Sequence, residues 1–210
     1  MSRTSLSPEA AWDRVRSVAR GGIGHAGHGL DVTPAGAWTS LLSLEAGAAA
    51  VLELYLPLAV RDDLVIGQLG QSLDGRVATA SGHSHYVTGS EDITRLHRVR
   101  ALMDAVVVGA GTATSDRPRL TVRRAEGPHP TRVILDPRGR VAPEGPLFED
   151  DTAPTLWIRR GGPQSRLRPH VEVVQPPPAG TDGFIPPAAI LGVLRKRGLR
   201  KVLVEGGGAT

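Results

Sequence analysis

The chain has 210 residues, enough for one domain with a small appendage, and it is 40% hydrophobic but only 3% aromatic, so its core must be built from Val, Leu, Ala and Ile. It contains no cysteine, which excludes disulfides and thiolate metal sites. The formal charge of +4 is carried almost entirely by arginines scattered among acids, which reads as a solvated basic surface rather than a nucleic-acid footprint; anionic small molecules explain the surplus as well as nucleic acid would, and no nucleic-acid partner is expected.

Residues 1–62 read as an N-terminal extension with a packing or docking role. Ser7-Pro8-Glu9 supplies a capping hydroxyl, a proline suited to the first helical position and an acid at the positive end of the helix dipole. The helix is expected to run to Arg20 and stop at Gly21-Gly22, and Gly21 to Gly36 to be irregular loop. His25 and His28 lie three residues apart there, but no further ligand nearby completes a set, so no metal site is expected. From Trp38 to Leu58, Gly47 and Pro57 interrupt apolar stretches, and helix and strand both stay open. No segment is apolar enough to span a bilayer and no signal-peptide core is present, so the expectation is a soluble, cytoplasmic protein without membrane contact.

From Leu64 the pattern becomes regular. Leu64 to Leu69 reads as a strand leading to the Asp-Gly turn in Ser72-Leu73-Asp74-Gly75-Arg76, and Ser81 to Val87 as a polar loop containing Tyr86, either laid on a flat ring or packed at an edge. Ser90 caps the next helix, with Glu91 and Asp92 in its first turn and Glu91–Arg95 as an i,i+4 pair. Ile93, Leu96 and Met103 form its apolar stripe, and Arg100, seven residues after Ile93, falls inside that stripe. A guanidinium on a core-facing seam either snorkels past the edge or reaches an anion in a cleft.

Ala105 to Val108 is a strand that runs into Gly109-Ala110-Gly111-Thr112, and Lys201 to Glu205 is another that runs into Gly206-Gly207-Gly208. Glycines after a buried strand leave main-chain N–H groups open to a phosphate-bearing ligand, so these two segments are expected to be phosphate-holding loops converging on one groove. Arg132 to Leu135, Thr155 to Ile158 and Val171 to Val174 are further strands, and a helix is expected from Pro187 to Arg197, ending at Gly198. Strands alternating with helices predict an α/β fold with a mostly parallel sheet covered on both faces.

Seven segments in order carry a family resemblance. They are Ser72 to Arg76, Ser84 to Gly89, Leu96 to Ala101, Val106 to Thr112, Asp116 to Arg123, Arg132 to Arg140 and Leu203 to Thr210. Their order and spacing resemble the reductase domain of riboflavin biosynthesis, over roughly Leu64 to Thr210. The resemblance implies a dihydrofolate-reductase-like fold over residues 63–210, lacking the closing C-terminal strands, and a homodimer in the complete protein. The implied reaction is NADPH-dependent reduction of a 5-amino-6-(5-phosphoribosylamino)uracil-type pyrimidine ribosyl phosphate, with hydride delivered to the ribose anomeric carbon. The alternatives are the same fold acting on another pterin- or pyrimidine-like substrate, and a non-catalytic ligand-binding or assembly protein.

By the same resemblance Gly70, Tyr86, Thr112, Asp116, Gly207 and Gly208 would lie against NADPH, and Gly109, Gly111 and Gly206 join them as bare backbone at the ends of the two strands. Ser84, Arg100, Leu120, Arg123 and Glu205 would meet the substrate, with Glu205 on the ribose hydroxyls and Asp74 adding polarity at the reacting centre. Pro137 stands where relatives often carry a cofactor-binding serine, which leaves Arg138, Arg159 and Arg160 as cations for a 2′-phosphate. The zinc deaminase domain that often precedes such a reductase is not expected, for want of a cysteine pair and a His-x-Glu motif.

Overall fold

The computed structural model describes residues 5–71, 75, 89–162, 166–178 and 185–206. Two compact units are formed, Met1–Leu64 and Val65–Thr210.

The first unit contains, in order, β1 (Ser5–Leu6), α1 (Pro8–Gly21), a single 3-10 turn at Ile23–His25, β2 (Leu30–Val32), β3 (Trp38–Ser40), β4 (Ser43–Leu44) and α2 (Ala48–Ala59). Helix α1 starts as expected: the Ser7 hydroxyl accepts the Ala10 N–H at 3.2 Å and Pro8 occupies the first turn. It packs on α2 through buried Val15, Val18, Leu52 and Leu56, with Trp12 edge-to-face on Tyr55 at 5.2 Å between centroids. The stretch left open between helix and strand holds both, β3 first and then α2 with Pro57 inside its last turn. The expected irregular loop before it contains β2, which pairs antiparallel with β3 from Leu30↔Ser40 to Val32↔Trp38. Only Leu30 of that strand is buried, so no alternation marked it in the sequence.

The second unit carries β5 (Leu64–Gln68), which starts at the boundary, then α3 (Ser90–Ala101), β6 (Ala105–Gly109), α4 (Ala110–Ser115) and β7 (Thr131–Leu135). It continues with α5 (Pro146–Glu149), β8 (Thr155–Ile158), β9 (Val171–Val174), α6 (Pro187–Arg195) and β10 (Lys201–Glu205). The six strands form one sheet in the order β5-β10-β6-β7-β8-β9, and every pair from β10 to β9 is parallel. Alternate residues Ala105, Val107, Val133, Leu156, Ile158 and Val202 pack with Ile190 and Leu194 of α6. The intervening Val106, Val108, Ile134, Trp157 and Leu203 are just as deeply buried, so both sheet faces are covered. A strand buried on both faces reads as an unbroken apolar run, which is why these strands were legible.

Two local expectations are corrected. Gly109-Ala110-Gly111-Thr112 is not a loop: Gly109 caps α4, and the chain passes from strand to helix without a break. Gly109 sits at an ordinary φ of −76°, so nothing there requires irregular backbone. Helix α3 is capped by Gly89, not Ser90, and Arg95 bonds Asp92 at 2.8 Å and 2.5 Å. Among the described residues, no helix is long and apolar enough to cross a membrane.

Candidate active site at the ends of two parallel strands

The strands that lead to the two glycine segments come out side by side. Strands β6 and β10 are parallel neighbours with Val202↔Ala105, Leu203↔Val106 and Val204↔Val107. One residue past that register come Glu205 and Val108, and two past it Gly206 and Gly109. Carboxyl ends of parallel strands are where open α/β sheets hold ligands, because the chain turns away there and leaves a crevice. Gly206 has φ 143°, a backbone setting that side-chain-bearing residues resist. A Cβ added at Gly111 would meet nothing within 4 Å, so the first turn of α4 is open to close approach. Thr112, half-buried, accepts the Asp116 N–H on its carbonyl at 3.0 Å. Gly70 stands two residues past the end of β5, the strand on the other side of β10.

Arg100 and Glu205, both expected at the substrate, meet each other. Arg100 Nε donates to Glu205 Oε1 at 2.7 Å and Nη2 to Oε2 at 2.6 Å, a fork-on-fork pair between residues 7% and 9% exposed. Arg100 Nη1 donates to the Thr121 carbonyl at 3.2 Å. Of the two fates open to Arg100, the structure takes the anion, and the anion is the chain's own carboxylate. The pair is electrically balanced, and each carboxylate oxygen keeps a lone pair for a further donor.

Segment 116–123 lies against this pair. Leu120 takes φ 57° and Arg117 φ 43°, both in the left-handed region that costs a branched or long side chain roughly 1–2 kcal/mol. Leu120 is buried, side chain and main chain together. Arg123 is exposed, and its Nη1 donates to Thr121 Oγ1 at 3.1 Å. Desolvation against the protein, then the like charges of Arg100, Arg119 and Arg124, hold the Arg123 pKa below the usual guanidinium value. A bound anion would relieve that crowding.

His97, not singled out from the sequence, is buried one turn before Arg100, and its Nδ1 accepts the Arg123 N–H at 2.9 Å. Burial first, then Arg100, Arg123 and Arg124, push its pKa down to about 4, so the ring is neutral near pH 7. Its spacing of three from Arg100 on a helix was the available signal.

At the ends of β7 and β8 the Asp136 carboxylate is fully buried and accepts the N–H groups of Arg140 at 2.8 Å and Val141 at 3.0 Å, and Trp157 Nε1–H at 3.2 Å. It shapes the turn that carries Pro137 and Arg138. The Arg159 guanidinium lies over the Trp157 ring, 4.3 Å from its centroid. Asp74, Ser84, Tyr86, Gly207 and Gly208 lie outside the described residues.

The family model described as the RibD C-terminal domain matches residues 63–210. The chain belongs to that family. A 2,5-diamino-6-ribosylamino-4(3H)-pyrimidinone 5′-phosphate reductase of Methanothermobacter thermautotrophicus is 34% identical over 149 residues, which are 68% of this chain and 67% of the relative. The protein of the same name in Archaeoglobus fulgidus is 32% identical over 154 residues, 69% of this chain and 70% of the relative. Among solved structures, a diaminohydroxyphosphoribosylaminopyrimidine deaminase/5-amino-6-(5-phosphoribosylamino)uracil reductase of Thermotoga maritima superposes with a TM-score of 0.57 at 28% identity. That match covers 79% of this chain and 47% of the other, so the RibD-family chain spans about half the length of this bifunctional relative. A riboflavin biosynthesis reductase of Saccharomyces cerevisiae matches with TM-score 0.56 at 25% identity, over 69% of this chain and 63% of that one. The fold is the dihydrofolate-reductase-like α/β type shared by RibD reductase domains.

Proposed function

We propose that the chain is an NADPH-dependent reductase of a 6-ribosylamino-pyrimidine 5′-phosphate on the route to riboflavin. The observation that carries the reading is the buried Arg100–Glu205 pair, set on the last residue of β10 beside the end of β6, in a member of the RibD C-terminal domain family. The residues present fit a dinucleotide: adjoining strand ends, a glycine conformation at Gly206 and open space at Gly111 offer bare backbone to a diphosphate. Gly70, Tyr86, Gly109, Gly111, Thr112, Asp116 and Gly206 to Gly208 would hold it. Arg138, Arg159 and Arg160, at the ends of β7 and β8, are the cations for a 2′-phosphate.

When bound, the nicotinamide supplies the hydride that reduces the anomeric carbon of the ribose in its ring-opened imine form. The protein's share is positioning and exclusion of water. Glu205, oriented by Arg100, accepts hydrogen bonds from ribose hydroxyls, and Asp74 adds polarity nearby. Arg123 is the cation left for the 5′-phosphate, because Glu205 already occupies the bidentate edge of Arg100. Ser84 and Leu120 complete the substrate contacts. The protein works in the cytoplasm as a homodimer, with residues 1–62 as an added packing segment.

The relatives' names divide on the base, a diaminopyrimidinone in the archaeal proteins and a uracil in the bacterial one. The test is therefore NADPH oxidation with each pyrimidine in turn. Oxidation with one of them, dependent on its 5′-phosphate and weakened at least tenfold by Arg123→Ala, supports the reading. NADPH binding without oxidation of either mixture would leave a ligand-binding protein instead.

A further inference from the structure

Segment 120–123 is held in a strained conformation, and the holding comes from an unusual quarter. Two consecutive main-chain N–H groups are each taken by an imidazole nitrogen: Val122 N–H by His129 Nδ1 at 3.2 Å and Arg123 N–H by His97 Nδ1 at 2.9 Å. One histidine comes from α3 and the other from the stretch before β7. Among the described residues the segment pairs with no strand, and these acceptors do for it what a neighbouring strand does in a ladder. Val122 and Thr121 are buried, where an unanswered amide would be costly.

We propose that His97 and His129 are positioning residues, whose unprotonated Nδ1 atoms clamp the Val122 and Arg123 amides and so present Arg123 and the Thr121 carbonyl to the Arg100–Glu205 pair. This rests on the reading that segment 120–123 meets the substrate phosphate. An imidazole that accepts at Nδ1 carries its proton on Nε2; a proton on Nδ1 would turn the acceptor into a second donor facing an N–H. The charges that act on His97 are cationic: Arg100 from its own helix, Arg123 from the segment it holds and Arg124 just after it. Burial first and then these charges oppose that proton, which keeps the His97 contact closed at neutral pH.

Two readouts test this. In hydrogen exchange on the full chain, the Arg123 amide is expected to be protected in wild type and to exchange at least tenfold faster in His97→Leu. His97→Asn, which puts an oxygen near the Nδ1 position without a titrating ring, should restore most of the protection. His129→Leu should do the same to Val122 while leaving Arg123 slowed. In kinetics, His97→Leu should raise the pyrimidine KM about tenfold with kcat and the NADPH KM little changed, and His97→Asn should recover most of that loss. Equal exchange at Arg123 in wild type and His97→Leu overturns the clamp. Should His97→Leu fail to fold, a wild-type 15N spectrum decides: a protonated Nε2 and bare Nδ1 are expected, and the reverse tautomer contradicts. A protein with no reductase turnover would instead sink the functional reading, with the exchange result still deciding the clamp.

Discussion

Among the described residues of the second unit two arginines are buried, and their surroundings differ in kind. Arg100 meets a carboxylate, Glu205, at the carboxyl end of a strand. Arg132, the second residue of β7, hydrogen-bonds, among the described residues, to carbonyls: Nη1 donates to Pro146 O at 3.2 Å, and Nη2 to Asp150 O at 2.6 Å and to Ala153 O. Neutral acceptors tie α5 and the turn after it to the sheet, but they offer nothing further to a ligand. Burial pushes the Arg132 pKa down, against the opposing pull of Asp150 and Asp151. A balanced ion pair with spare lone pairs at a strand's carboxyl end is equipment for binding, whereas a caged cation near the amino end is a fastener.

That contrast can be broken by substitution. Glu205→Gln is expected to have the largest effect, because it strands the Arg100 charge and turns one of the two acceptor oxygens into a donor that faces the guanidinium or the proposed substrate. Stability should fall by about 3–5 kcal/mol, and kcat/KM in the remaining folded protein by at least about a hundredfold, near 2.7 kcal/mol. Arg132→Ala should cost about 3–4 kcal/mol by urea denaturation, since three carbonyls lose donors at roughly 1 kcal/mol or more each. Its pyrimidine KM should stay within about twofold of wild type. A KM change comparable to that of Glu205→Gln would erase the distinction between the two arginines.

Arg100 was legible and Arg132 was not, for a geometric reason. Helical periodicity sets a face, so a cation seven residues from Ile93 stands out as misplaced on an apolar stripe. In a strand covered on both faces no periodicity separates in from out, so Arg132 passed as an ordinary strand residue. Its cage lies 14 to 21 residues further on, in a turn with no sequence signature. The strands themselves were legible because burial on both faces makes them continuous runs of Val, Leu and Ile. Glycines after β6 misled, because glycine permits irregular backbone without requiring it, and Gly109 simply caps α4. The partner of Arg100 stayed hidden because Glu205 lies 105 residues away, and only the sheet order brings them together.

Smaller effects sharpen the same map. His97 has a folded pKa of about 4 against 6.5 for a free imidazole. Between these values the unfolded chain takes up a proton that the fold refuses, so stability falls as pH drops from 6.5 toward 4 and this contribution is constant above 6.5. Denaturation midpoints of His97→Asn should show less of that acid-side decline, while Arg132→Ala should keep its slope unchanged. The smallest expected change is a gain: Arg117→Gly, at φ 43°, should add about 0.5 kcal/mol by relieving left-handed strain, seen as a slightly higher urea midpoint.

The most direct measurement follows the hydride itself, using NADPH deuterated at the transferring position of the nicotinamide and whichever pyrimidine ribosyl phosphate the protein accepts. One deuterium on the former anomeric carbon of the ribityl product, by mass spectrometry and NMR, is the predicted result. An unlabelled product, or labelled cofactor recovered unchanged from both substrates, would contradict the assignment of this site as a reductase centre.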